Sequence, residues 1–163
     1  LPSTFASGTP AAPRESRLRL FHTHTREHLD VVYRRNGVYV AQGLAKLDHF
    51  LRDHRVGAVK QYDPRLFDLL TELAAKARKP DAEIHIICGY RTSGSNESLR
   101  GKSPNSGVAK TSLHMEAEAI DIRLPGVRTS RLRDAALALA RGGVGYYKNS
   151  DFIHVDVGRV RRW

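Results

Sequence analysis

Two short stretches carry side chains suited to metal chemistry. Ser112-Leu-His-Met-Glu-Ala-Glu-Ala-Ile-Asp121 offers an imidazole at His114 and a carboxylate at Asp121, and Asp151-Phe-Ile-His-Val-Asp156 offers His154 between two carboxylates. A catalytic zinc takes three protein ligands, keeps a fourth position for water, and accepts neutral imidazoles and carboxylates as donors. Water held there drops from its bulk pKa to about 7 and becomes a nucleophile at neutral pH. On this reading His114, Asp121 and His154 hold one zinc ion. Asp151, three residues before His154, is near enough to take a proton and pass it to a leaving amine. Taken singly, each of these residues also reads as an ordinary polar residue at a strand end, and a His-x6-Asp spacing alone is weak.

The spacing also sets a geometric condition. Residues 116–124 read as a strand, with Ala117, Ala119, Asp121 and Arg123 on one face. His114 and Asp121 then have opposite parity. They converge only if His114 sits in the loop before the strand or a bulge resets the phase.

The elements that must bring the two stretches together can be read along the chain. Residues 17–23 and 28–33 read as paired strands, and Asn36-Gly37 marks a tight hairpin into 38–40. Leu44, Leu47, Phe50 and Leu51 fall at helical spacing within 41–53. Asp63-Pro64 starts a second helix, whose stripe of Leu66, Leu69, Leu70, Leu73 and Ala74 runs to about Ala77 before Pro80 stops it. Ala82 to Cys88 is apolar and β-branched, a central strand that ends in Gly89-Tyr90-Arg91. Arg91 at that strand end is placed either to stabilise an oxyanion or to make a plain surface ion pair. Residues 92–112 are small and polar, a long loop directly before His114 that can form a wall of the site. Thr129 or Ser130 caps a helix over 131–141 that Gly142-Gly143 ends, and 144–147 and 152–157 form a last hairpin. Trp163 is expected to pack back on the core. The fold class that follows is α+β, with helices on one side of a mainly antiparallel sheet. Residues 1–16 read as a flexible arm and 17–163 as a single domain. His22, His24 and His28 read as exposed sheet residues, since no carboxylate accompanies them.

Composition narrows the setting. The chain has 163 residues, a formal charge of +10 and one cysteine. That charge favours polyanionic partners such as nucleic acid, acidic membrane or an acidic wall polymer. No nucleic-acid motif with readable mechanics is present. A single Cys88, in an apolar run, rules out an internal disulfide and a thiolate cluster and reads as a buried thiol. No run is long enough to span a bilayer. No signal peptide is present, and the start at Leu1-Pro-Ser rather than Met reads as a processed mature chain or a trimmed one.

The pattern Ser112-x-His114-x6-Asp121 followed by Asp151-x-x-His154 resembles the zinc D-Ala-D-Ala metallopeptidases and their murein endopeptidase relatives, which share the LAS or hedgehog-type fold. Asp63-Pro-Arg-Leu-Phe-Asp-Leu-Leu70, Ser106-Gly-Val-Ala-Lys110, Gly142-Gly-Val-Gly-Tyr-Tyr147 and Gly158-Arg-Val-Arg-Arg-Trp163 extend the likeness over about residues 17–163. The resemblance implies zinc on His114, Asp121 and His154, with Asp151 as general base. It implies that Arg91 of Gly89-Tyr90-Arg91 steadies the substrate carbonyl, and it leaves Ser112, Asp156 and Tyr90 in supporting or substrate-binding roles. The implied substrates are peptidoglycan stem peptides in the Gram-negative periplasm, cut at D-Ala–meso-diaminopimelate and meso-diaminopimelate–meso-diaminopimelate crosslinks by a monomer. Nucleic acid is not among the implied partners. A non-catalytic peptidoglycan-binding module on the same fold is the alternative, against which the presence of Asp151 counts. One departure stands out: Ala117 occupies a position where the family commonly has Gly, so an alanine fits only if the backbone there avoids positive φ.

Overall fold

The structure is a computed structural model and describes residue 12 and residues 14–163. Of the arm expected over 1–16, residues 1–11 and 13 lie outside the described residues, and Glu15 and Ser16 already belong to the first strand. Strands β1 (Glu15–His22), β2 (His28–Arg35) and β3 (Val38–Tyr39) form the expected antiparallel meander. Asn36 and Gly37 both have positive φ, the turn conformation whose twist matches the flanking strands. Strands β4 (Glu83–Cys88), β5 (Ala119–Arg123), β6 (Gly143–Tyr147), β7 (Phe152–Asp156) and β8 (Arg161–Arg162) complete one sheet in the order β3-β2-β1-β4-β5-β7-β6-β8. It is antiparallel except where β1 meets β4 and β6 meets β8.

Helices α1 (Ala41–Phe50), α2 (Arg65–Lys76) and α4 (Thr129–Leu139) pack on this sheet. Helix α2 buries Leu66, Phe67, Leu69, Leu70, Leu73 and Ala74, the stripe its sequence spacing foretold. They join Leu20, Ile86, Ile120, Ile122 and Leu132 in one core. Because side chains alternate along a strand, burying Ile120 and Ile122 turns Asp121 to the opposite face of β5. The expected α+β architecture is therefore present, with the helix-covered face as core and the other face free to build a site.

Three boundaries differ from the sequence reading. Helix α4 begins at Thr129 after Arg128, with no side-chain cap, and ends at Ala140 in the left-handed region, so Gly143 is released to start β6. The expected loop over 92–112 contains helix α3 (Ser93–Gly101), which has no apolar stripe. It is held instead by polar bonds: the Thr92 hydroxyl accepts from the Ser95 N–H, and buried Asp53 accepts from both the N–H and the hydroxyl of Thr92. Asn96 adds a bond to the Ala109 carbonyl. Finally, the strand expected from 116 starts at Ala119, because Leu113–Glu116 form a 3-10 turn.

Candidate metal centre

The 3-10 turn answers the parity problem. Ser112 opens it, its hydroxyl accepting from the His114 N–H at 3.3 Å. Ala117 closes it in the left-handed region, φ 55 and ψ 42. That conformation resets the chain before β5, so His114 and Asp121 meet despite their spacing. The condition placed on an alanine there is not satisfied: Ala117 is fully buried and bears the positive φ that glycine would tolerate freely.

Asp121 and His154 are direct partners across the β5–β7 ladder. His114 Nε2 lies 3.1 Å from Asp121 Oδ1 and 3.1 Å from His154 Nδ1, and His154 Nδ1 lies 3.0 Å from Asp121 Oδ1. These three atoms form a nearly equilateral triangle. A tetrahedral zinc with bonds of about 2.0–2.1 Å separates its ligand atoms by about 3.3 Å, so the triangle matches one face of such a site to within a few tenths of an ångström.

The tautomers agree with this. His114 Nδ1 donates to the Gly89 carbonyl at 2.8 Å, which leaves the Nε2 lone pair directed at the triangle. His154 Nε2 donates to Asp156 Oδ2 at 2.9 Å, which leaves Nδ1 directed at the same point. Burial opposes ionisation of Asp121, but the two imidazoles outweigh it and hold the carboxyl well below its usual range. Burial by itself lowers the pKa of His114; Asp121 and Cys88 reverse that and raise it to about 10.

Asp156 is fully buried and carries the most heavily bonded carboxylate of the site. Besides His154 it accepts from the backbone N–H of Gly143 and Gly158 and from two guanidinium nitrogens of Arg161. Burial opposes its ionisation, and the bonds from His154, Arg161 and Gly143 overcome that and keep it ionised far below the ordinary carboxylate range. Glycine at 143 is required by this packing, since a Cβ there would lie 2.5 Å from Asp156 Oδ2.

A cavity of about 300 Å³ opens over the triangle. Arg91, 7% exposed, lines it. Its Nη2 donates to the Ser112 hydroxyl at 3.3 Å, its Nε has no partner among the described residues, and no carboxylate pairs with it there. Residues 106–109 supply one wall, so the segment before His114 does flank the site. Tyr147, Phe152 and Trp163 supply another. Trp163, expected to pack back on the core, is half-exposed and packs at the site wall. Its ring sits 5.1 Å from that of His154 and fills the space above Gly145, where a Cβ would meet it at 2.7 Å.

Two expected site residues lie elsewhere. Asp151 does not line the cavity, although Ser150 and Phe152 do. Its carboxylate accepts from the Thr129 hydroxyl at the start of α4 and lies 3.5 Å from Arg123, two positions along β5 from Asp121. A positive φ of 52 at the turn before β7 turns it that way. Tyr90 also lies outside the lining; its N–H donates to the Leu51 carbonyl, and Lys60 sits 5.9 Å from its ring centre. Conversely, one neighbour was missed. The Cys88 thiol offers a donor within 4.8 Å of those of His114 and Asp121, because Cys88 pairs with Asp121 across the bulged β4–β5 ladder. Its apolar context gave no hint of this. His22, at the end of β1, is apart from the site: it is fully buried rather than exposed, and its Nδ1 accepts from the N–H groups of His24 and Thr25.

Comparison with known proteins places this geometry in a family. Residues 10–163 match the model of the family described as peptidoglycan L,D-endopeptidase MepK. Peptidoglycan L,D-endopeptidase MepK of Escherichia coli (strain K12) is 41% identical over 162 residues, which covers 98% of this chain and 86% of that relative. The protein of the same name from Shigella flexneri is similar to the same extent over the same shares of both chains.

Proposed function

The chain belongs to the peptidoglycan L,D-endopeptidase MepK family, and from that premise we propose that it is a zinc-dependent hydrolase of peptide crosslinks in peptidoglycan. The observation that carries the proposal is the convergence of three lone pairs, from His114 Nε2, Asp121 Oδ1 and His154 Nδ1, on one point at the floor of a cavity. These three residues would hold the zinc. Bound there, it supplies Lewis acidity toward the scissile carbonyl and lowers the pKa of water. The remaining chemistry belongs to side chains in place. Arg91 is a buried cation without a carboxylate partner among the described residues, so its guanidinium is available to the carbonyl oxygen as negative charge develops. Ser112 fixes both the His114 turn and the Arg91 fork, and Asp156 fixes the ring of His154. Asp151, the expected proton acceptor, is held by Thr129 and Arg123 outside the cavity, so no proton transfer is assigned to it.

Of the two crosslinks the resemblance implies, the bond between two meso-diaminopimelates joins an L-centre to a D-centre. That matches the L,D designation of the relatives, and we take it as the main substrate. Stem peptides carry free carboxylates, to which a chain of net charge +10 is complementary. The relatives come from Gram-negative bacteria, which supports a periplasmic site of action, and we propose a monomer. None of the described helices is long and apolar enough to cross a membrane. The test is digestion of two purified muropeptide dimers, one with each crosslink, read by mass spectrometry. Monomers from the diaminopimelate–diaminopimelate dimer are expected. Cleavage confined to the D-Ala-linked dimer would overturn the bond assignment, and cleavage of neither would overturn the function.

A further inference from the structure

Where α2 ends and α4 begins lies a second hollow, which the proposed chemistry does not use. It has a volume of about 420 Å³ and is lined by Lys76, Arg78, Lys79, Arg128 and Arg131, with no carboxylate among its lining residues. All five side chains are exposed, and none makes an ion pair or a side-chain hydrogen bond among the described residues. The acids that could neutralise them are engaged elsewhere. Asp68 meets Arg34 and two tyrosine hydroxyls, Glu72 meets Arg141, and Asp134 meets Arg133. That accounts for every carboxylate on the two helices.

Helix stability explains only part of this charge. Cations are favourable at the C-terminus of a helix, which suits Lys76, Arg78 and Lys79 at the end of α2. The same field is unfavourable for Arg128 and Arg131, which stand at the N-terminus of α4. That terminus has no acidic residue in its first turn and no side-chain cap. Arg78 is also held against preference. It occupies the left-handed position of the turn that closes α2, φ 60, where glycine fits freely. Five cations therefore converge on one concave surface without a counter-charge, two of them against the helix field. A bound anion offsets that repulsion.

The hollow adjoins the cleft through a single turn. The hydroxyl of Thr129, next to Arg128, donates to Asp151. Ser150 and Phe152, on either side of Asp151, line the cavity over the metal triangle. We propose that the hollow is a subsite for the carboxylates of stem peptides neighbouring the crosslink being cut, so that it grips the polymer rather than the scissile bond. The inference rests on the peptidoglycan substrate proposed above.

The test compares intact sacculi with a purified muropeptide dimer. The double variant Arg128→Gln/Arg131→Gln is set beside a control that removes the same charge elsewhere, Lys46→Gln/Lys102→Gln. Co-sedimentation with sacculi on ice measures binding and needs no turnover. For the arginine variant, sacculus binding at low salt should weaken by about 2- to 30-fold, the loss of two surface ion pairs. Its rate on the dimer should equal the parent's, and its melting temperature should be no lower. The control should bind sacculi as the parent does. Undiminished sacculus binding by the arginine variant, or an equal loss in the control, would overturn the proposal. A lowered melting temperature would mark the arginines as structural and overturn it too. So would a variant that keeps sacculus binding but no longer binds phosphatidylglycerol vesicles, which would assign the hollow to an anionic membrane surface. A parent that binds sacculi through these arginines but cuts no dimer would overturn the hydrolase reading and leave the subsite standing.

Discussion

Replacing Asp156 with asparagine should damage the protein twice, in stability and in metal binding. The carboxylate accepts five hydrogen bonds: two on backbone N–H groups, one from His154 and two from Arg161. In the Asp156→Asn protein the amide oxygen can keep the Oδ1 contacts to Gly143 and Gly158. The amide NH2 then occupies the Oδ2 position and confronts two donors, His154 Nε2 at 2.9 Å and Arg161 Nη2 at 2.8 Å. Hydrogen bonds to charged groups contribute about 1.5–3 kcal/mol each. Removing one partner of a fully buried charge pair costs about 3–5 kcal/mol. The Arg161 side chain is 31% exposed and recovers part of its solvation, so a loss of about 2–4 kcal/mol is expected for the metal-free protein. For a chain of this length that is a fall of about 4–16 °C in melting temperature. Without its anchor the His154 ring is also free to turn Nδ1 away, and zinc affinity should drop by about 10- to 100-fold. Urea unfolding and chelator competition read the two effects separately. A variant within about 1 kcal/mol of the parent that binds zinc equally well would refute the view that Asp156 orients His154.

Asp151→Asn should lower the rate of crosslink hydrolysis by less than about tenfold, against the ~10²–10⁴-fold loss expected for a general base; a steady-state assay on a muropeptide dimer decides between them. Asp53 gives a pH signature. Burial opposes its ionisation, but bonds from Ser95, Thr92 and the Arg55 N–H hold its pKa below the ordinary 3.8. A carboxyl depressed in the folded state contributes stability that is present above its unfolded pKa and lost as pH falls through the folded one. Asp53→Asn should therefore cost about 1–2 kcal/mol at pH 7 and flatten the fall in stability below about pH 4, measured by urea unfolding across pH. Ala117→Gly should be nearly neutral. It relieves about 1–2 kcal/mol of left-handed strain, against about 0.5–1 kcal/mol of chain entropy and about 0.8 kcal/mol for a buried methyl. A melting temperature lowered by more than about 8 °C, the equivalent of about 2 kcal/mol or more, would show that the strain at Ala117 is absent.

The periodic elements were readable because their signal is local. The stripe of α2 and the Asn36-Gly37 hairpin each follow from spacing and turn chemistry. Helix α3 escaped because polar bonds to Asp53, Thr92 and the Ala109 carbonyl hold it, and such bonds leave no apolar period. The two metal stretches were legible as donor types, and the parity condition on His114 correctly demanded a break before β5. The break itself, a left-handed alanine, is a conformation that alanine composition argues against. The direction in which Asp151 points was not legible for a related reason: proximity in sequence to His154 says nothing about where a positive-φ residue aims its side chain. Cys88 reaches the site only through strand pairing, and nothing in its own neighbourhood marks it.

The most direct test is an active-site titration. The protein is stripped with chelator, zinc is added in fractions of an equivalent, and the rate of cleavage of a crosslinked muropeptide dimer is followed. The metal triad predicts a rate near zero at the start, rising linearly to a break at one zinc per chain, and no zinc-dependent rate for Asp121→Ala. A stripped protein that cleaves at full rate, or a fully loaded one that leaves the dimer intact, would contradict a catalytic zinc held by His114, Asp121 and His154.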